Sequence, residues 1–471
     1  MSPTPPPGDR SKADPESPTN PTPAQVHDLV PLRTSTRAWF KISLQTFGGP
    51  AGQIAVMQRS LVDEHRWIGE RRFLHALSYC MLLPGPEAQQ LAIYIGWLLN
   101  GTRGGLIAGT LFVLPGFVAL LALSAIYVVF GDTAAVTALF TGLASAVLAI
   151  VAQAVIKVAK RALHHPALVT LAAAAFLALA VFDIHFPIVI AAAAIIGWVL
   201  GRMRPNVMTA PTKKNVANDS EPLISDGDLH QTGPSWRRTA VILGLGVPLW
   251  LGPVAAAFVL TGAHSTFTQQ GLFFTGTALV TFGGAYAVLA FVAQQAVENY
   301  GWLAPGEMVR GLAMAETTPG PLIMVVQFVA FLGAFRAPGI LDPWVAAILA
   351  SVLTTWVTFV PCFLFILLGA PHVERLRGNQ SLSSALTGIT AAVVGVIANL
   401  ALYFATHTLF AQTNDWSWGP INLDAPELAS LQPSALLLMI AAMVMIFALR
   451  WSVLRTLGVC AVAGLGLGLL I

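Results

Sequence analysis

Charge is what this sequence has least of. Asp, Glu, Lys and Arg make up 10% of its 471 residues, against about 25% in an ordinary soluble domain. Hydrophobic residues make up 56%, and the mean hydropathy is +0.72. That excludes a soluble globular protein and points to an all-α polytopic membrane protein. Cysteine is nearly absent. Cys80, Cys362 and Cys460 lie in apolar runs without metal-ligand spacing, so neither a disulfide framework, a metal site nor a cofactor is expected. The basic residues form no stripe, and no nucleic-acid motif is visible, which argues against a nucleic-acid partner. No phosphate-binding loop is present, so any driving force is a gradient rather than a nucleotide. Neither a His/Glu zinc motif nor a Gly-x-Ser-x-Gly turn appears, and His264, His372 and His407 stand apart, which counts against an intramembrane enzyme.

What is present is a series of apolar runs, several of them interrupted. The first 34 residues are rich in Pro, Ser and Thr and lack the apolar core of a signal peptide; they read as a disordered cytoplasmic tail. Residues 35–201 form a first domain and 239–471 a second, with 202–238 a polar cytoplasmic linker between them. In the first domain, Arg37–Gln58 is interrupted by Gly48-Gly49-Pro50, and Phe73–Leu99 by Pro84-Gly85-Pro86. In the second, Gly271–Ala296 carries Gly283-Gly284, and Leu303–Phe335 carries Pro319-Gly320-Pro321. Proline and glycine cannot continue a helix here, so Pro50, Pro84, Pro86, Pro319 and Pro321 mark helix breaks. Broken backbone at membrane depth is tolerated only inside protein or along a wet cavity.

The interruptions repeat. Phe47-Gly48-Gly49 recurs as Phe282-Gly283-Gly284, Trp67 as Trp302, and Pro84-Gly85-Pro86 as Pro319-Gly320-Pro321; the offsets 282 − 47, 302 − 67 and 319 − 84 are all 235. A weaker match pairs residues 142–147 with 388–393, at 388 − 142 = 246. Internal duplication is frequent in transporters. The loop between the two interrupted segments holds Arg59, Arg66, Arg71 and Arg72 in the first copy. Its equivalent, Gln294–Glu307, holds no Lys or Arg. Because basic loops stay cytoplasmic, the copies are expected to be inverted, with a cytoplasmic N-terminus. Three spans between them (Ala167–Val181, Phe186–Leu200 and Ala240–Leu260) produce the inversion. Loop parity makes each interrupted segment a re-entrant hairpin, for roughly 10–13 membrane segments in all.

Opposed half-helices present N–H groups and positive dipole ends, which is an anion site without side-chain charge. Gly48, Gly49, Gly85, Gly283, Gly284 and Gly320 would admit an oxyanion to the backbone, with Gln89, Thr317 and Thr318 as further donors; Gln90 and Gln327 belong to the same group. For each polar side chain, helix–helix hydrogen bonding is the competing role. Glu316 and Glu87 flank the two Pro-Gly-Pro breaks, and a carboxylate there suits proton coupling; for Glu316 the alternatives are an ion pair with Arg310 or packing. Lys41 and Arg310, at the entrances of broken segments, read as snorkelling anchors or anion attractors.

These motifs, with Leu83 before the first Pro-Gly-Pro, Leu114-Pro115-Gly116 and Ala315-Glu316-Thr317-Thr318-Pro319-Gly320-Pro321-Leu322-Ile323-Met324, resemble those of the chromate ion transporter family in its long, two-domain bacterial form. The resemblance covers Ser35 to Leu409. It implies two inverted homologous halves in the bacterial inner membrane, exporting chromate by means of the proton gradient, with sulfate the related oxyanion. The residues alone support a secondary transporter of an anion, with a sulfate or other oxyanion permease and a channel as alternatives. Chromate, sulfate, protons and the lipid bilayer are the partners expected; a homodimer is left open. Reporter fusions at residues 65 and 300 are expected to report opposite sides of the membrane; a shared side would remove the inverted repeat.

Overall fold

A computed structural model describes residues 30–208, 224, 235–282, 284–372, 379–419 and 421–470. Gly283, most of the linker and the tail up to residue 29 lie outside the described residues. The first copy comprises α1 (Leu32–Ser43), α2 (Gly49–Gln58), α3 (Glu70–Cys80), α4 (Glu87–Phe130), α5 (Ala134–Ala162), α6 (Pro166–Ala180) and α7 (Phe186–Met203). A short turn, α8 (Pro205–Met208), and a long helix, α9 (Trp236–Thr261), lead to the second copy. That copy comprises α10 (Thr266–Val280), α11 (Ala285–Gln294), α12 (Glu307–Thr317), α13 (Val325–Arg336), α14 (Pro343–Gly369), α15 (Gln380–Leu409), α16 (Pro433–Met443) and α17 (Val453–Leu470). Helix α1 begins three residues inside the stretch assigned to the tail, and α7 and α9 extend into both ends of the expected linker. Among the described residues, six helices are long and apolar enough to cross a membrane: α4, α5, α7, α9, α14 and α15.

The interrupted segments are re-entrant hairpins. Phe273 lies eight residues before Thr281 and Phe291 seven after Gly284, yet their rings are 5.5 Å apart, so α10 and α11 run antiparallel. Glu307 at the start of α12 pairs with Arg336 at the end of α13 at 2.7 Å, which closes that hairpin at its open end. In the first copy Tyr79 of α3 meets Tyr94 of α4 at 5.2 Å, across the Pro84-Gly85-Pro86 break. Beyond that hairpin α4 turns back on itself at Asn100–Gly101, with Gly101 at φ 59° and ψ −153°. Its two arms pack so closely that a methyl on Gly96 would lie 2.6 Å from the Gly104 carbonyl.

The copies are inverted. Asn100, where α4 turns, donates to the Val30 carbonyl at 2.6 Å, at the open end of the first-copy hairpins. Tyr127, near the far end of α4, donates to Glu307 at 3.1 Å and accepts from Arg310 at 3.0 Å, at the open end of the second-copy hairpins. Some 25 residues separate these points, or about 38 Å of helix, more than the ~30 Å hydrocarbon core. Helix α14 runs the other way. Trp344 packs on Phe335 at the second-copy end, and Arg238 reaches the Leu367 carbonyl and the Trp97 ring at the first-copy end.

The outer helices are exchanged between copies. Helices α6 and α7 pack on α15, and α16 and α17 pack on α5. Two glycine contacts make this close. Gly142 lies against Cys460 and Gly464, and Gly388 against Ala193 and Gly197. The offsets within this pair of contacts are again constant: 388 − 142 = 246, while 460 − 193 and 464 − 197 are both 267. Backbone contact of this kind is what small residues provide in a membrane. A β-hairpin, β1 (Thr413–Trp418) and β2 (Ile421–Pro426), joins α15 to α16.

Candidate functional site

The four breaks meet, and they meet crosswise. The Gly320 N–H donates to the Thr46 carbonyl at 3.0 Å, and the Gly85 N–H donates to the Thr281 carbonyl at 2.8 Å. Both pairs are related by the repeat, since 281 − 46 and 320 − 85 are 235. Each Pro-Gly-Pro break therefore closes on the Phe-Gly-Gly break of the opposite copy. The long helices complete the frame. A methyl on Gly320 would sit 3.2 Å from Gly116 Cα, and one on Gly85 would sit 2.9 Å from Cys362 Sγ, with 362 − 116 = 246. Gln53 of α2 adds a third link, Nε2 to the Gly320 carbonyl at 2.6 Å.

This arrangement corrects one expectation. The amides of Gly85 and Gly320, expected to face an oxyanion, are already given to carbonyls. The hydroxyls of Thr317 and Thr318 likewise donate within their own helix, to Met314 at 2.8 Å and Ala315 at 3.1 Å. The open positions are elsewhere. Gly48 (φ 77°) and Gly284 (φ 108°) border free space, and no side chain caps α2 or α11, the helices that start there. The first turn of each has N–H groups without intrahelical acceptors, and a positive dipole end.

Beside them stands a pair that the repeat does not predict. Tyr286 of α11 donates to Glu316 Oε1 at 2.5 Å, and a methyl on Gly49 would lie 3.7 Å from the same hydroxyl. Glu316 is 1% exposed, and its Oε2 has no hydrogen-bond partner. Arg310 does not pair with it. That guanidinium donates to Tyr127, within the cluster that holds Glu307 and Arg336. The first-copy equivalents of Tyr286 and Glu316 are Ala51 and Met81, at offset 235. Both members of the pair thus depart from the repeat together, a signal in the sequence that only the contact makes legible.

Glu87 opens the first arm of α4, just beyond the first-copy break, and it is half-buried, with Arg161 as the charge acting on it. Arg161 Nη2 also lies 3.2 Å from Met81 Sδ. Gln89 is fully buried, and neither amide atom has a partner; it borders a cavity of about 290 Å³ between α4 and α14. Gln90 donates to the Pro84 carbonyl at 2.6 Å and Gln327 to the Phe117 carbonyl at 3.2 Å, so these two serve packing. The two Pro-Gly-Pro tripeptides are covered alike, with Pro84 and Pro319 half-buried and Gly85, Pro86, Gly320 and Pro321 buried, but their flanks differ: Met81, Leu83 and Glu87 are half-buried where Glu316, Thr318 and Leu322 are buried. On the second-copy side a cavity of about 440 Å³ opens between α11, α15 and the α6–α7 loop. Its floor includes Ala290, one helical turn from Tyr286.

Gly85→Ala and Gly320→Ala should each cost about 1–2 kcal/mol, because φ is 118° and 111° there. Thermal unfolding in detergent should show a lowered midpoint for both variants. Gly276→Ala, which borders open space in α10, should not lower it.

Comparison with known proteins divides the chain into the same two halves. The family model described as chromate transporter matches residues 34–198 and 268–465, one stretch for each copy. The chain is 32% identical to the chromate transport protein of Pseudomonas aeruginosa, over 79% of this chain and 80% of that protein. It is 28% identical to the probable chromate transport protein of Synechococcus elongatus, over 82% and 87%. It is 27% identical to the chromate transport protein of Cupriavidus metallidurans, over 80% and 84%. No solved structure matches the chain. With two matched halves, each supplying one hairpin to each crossed contact, the chain belongs to the chromate transporter family.

Proposed function

We propose that this protein exports chromate from the cytoplasm across the bacterial inner membrane, drawing on the proton-motive force and so giving chromate resistance. The observation that carries this reading is the meeting of the α2 and α11 N-termini beside Tyr286 and Glu316. Uncapped amides and dipole ends favour a dianion there. Glu316 is the proton-carrying group in this reading, and Gly48, Gly49 and Gly284 are the anion-facing backbone; Glu87 and Arg161 serve the same traffic at the other break. Gln89 is a further donor in reserve, since its amide has no partner. The basic side of the first copy faces the cytoplasm, and the cavity bordered by Ala290 faces outward. The inside-negative potential then pulls the anion out, by roughly 2.3 kcal/mol per charge per 100 mV. Inverted repeats give alternating access by exchanging the conformations of their two halves, and the unequal cover on the residues flanking the two breaks fits one end state of that exchange.

Backbone donors recognise charge and tetrahedral shape, which sulfate shares with chromate. Sulfate is therefore expected to compete for the same site. Everted membrane vesicles should accumulate chromate, and an uncoupler should stop them; accumulation that is unchanged when the pH gradient alone is collapsed would indicate a channel. Glu316→Gln should abolish chromate tolerance in a sensitive bacterium while the protein still reaches the membrane. Full tolerance in that variant would remove Glu316 from the coupling.

A further inference from the structure

The geometry points to Tyr286 as the residue that links proton and anion at this site, and it fixes the sign of the link: the anion and the Glu316 proton bind together and leave together. This inference rests on the proposed oxyanion site and adds a residue and a direction to it.

The hydroxyl of Tyr286 has one proton to donate. In the structure that proton goes to Glu316 Oε1, while the hydroxyl stands at the α2 N-terminal turn, next to Gly49. An ionised Glu316 therefore opposes an arriving dianion in two ways. It places a negative charge one side chain away from the anion, and it holds the nearest hydroxyl proton. When Glu316 takes a proton from water, both obstacles go. The charge is neutralised, and the carboxyl O–H now donates, so the Tyr286 oxygen accepts and its own proton turns to the anion. Tyr286 keeps its proton throughout; only the direction of its hydrogen bond changes.

No other described charge competes for this role. Tyr286 is the side chain that hydrogen-bonds Glu316. Among the charged groups on helices packed against α12, Arg336 is held by Glu307, and Arg310 of α12 itself by Tyr127. Arg455 of α17 and Arg103 of α4 are exposed, and Glu87 of α4 lies at the other break. Lys157, Lys160 and Arg161 occupy the last six residues of α5, and Arg161 attends the other break. Because binding free energies are reciprocal, a proton that strengthens anion binding is itself bound more tightly when the anion is present. The pair then moves as one cargo. A dianion accompanied by one proton still carries net negative charge, so the inside-negative potential continues to drive it outward.

The test uses the full-length protein and sulfate, which stays a dianion across the pH range of interest. Sulfate affinity of the purified protein is expected to rise about tenfold per unit fall in pH over the range where Glu316 titrates, as one linked proton requires. Glu316→Gln should bind sulfate with an affinity independent of pH, which also shows that the variant is folded. Its net transport should stall, because Gln cannot regain the charge that expels the anion. Tyr286→Phe should lose about tenfold in sulfate affinity at low pH and keep a residual pH dependence from Glu316. In proteoliposomes, outward sulfate flow should make the lumen more alkaline, as protons leave with it. Acidification of the lumen, or affinity that strengthens as pH rises, would overturn the inference while leaving the oxyanion site intact. No binding of sulfate or chromate at any pH would overturn the oxyanion reading and this inference with it.

Discussion

Two backbone hydrogen bonds, Gly320 N–H to Thr46 and Gly85 N–H to Thr281, hold this architecture together. A helix broken inside a membrane leaves amides and carbonyls with no water to turn to, and each unpaired group costs free energy. Here every copy solves half of that problem for the other. The Pro-Gly-Pro break has an amide to give, and the Phe-Gly-Gly break has a carbonyl to receive it. Glycine is required at 85 and 320 because φ is positive there and because Cys362 and Gly116 stand against the missing side chains. The same logic explains the exchange of outer helices, where Gly142 and Gly388 bring backbones together at equivalent places.

On this symmetric frame the chemistry is asymmetric. The crossed contacts bring α2 and α11 to one place, but only α11 carries a hydroxyl there, and only in the second copy does a carboxylate precede the break; Glu87 follows the first. The second copy also closes its hairpin with Glu307 and Arg336, a pair that Arg72 and Gly101 do not reproduce in the first. Charge follows the same division. Lys157, Lys160 and Arg161 on α5 stand where α15 has Tyr403, Thr406 and His407, at offset 246. A duplicated scaffold thus supplies the geometry, and substitutions in one copy supply the direction.

Much of this was legible in the chain. Composition gave the membrane, since 10% charge cannot cover a soluble surface. The constant offset of 235 gave the repeat, and the arginines of one loop against none in its counterpart gave the inversion. Parity of the spans gave the re-entrant hairpins, because proline and glycine at mid-run forbid a continuous helix. Glu316 stood out because a carboxylate in an apolar run is costly, by roughly 2.5–3.5 kcal/mol on insertion scales.

Other features depended on distance through space. Gly85 and Gly320 were expected to offer their amides to a ligand. They offer them to each other's copy, and no local pattern says where a carbonyl 196 or 274 residues away will lie. Thr317 and Thr318 fold their hydroxyls onto their own helix, as hydroxyls near a helix end tend to do. Tyr286 looked like one aromatic among many until its hydroxyl met Glu316. The sequence by itself determined which segments break, how often, and that the two copies are inverted, because those follow from local backbone chemistry and loop charge. Tertiary structure alone decided which broken ends join and which acid meets which donor, because those depend on the packing of helices from opposite halves of the chain.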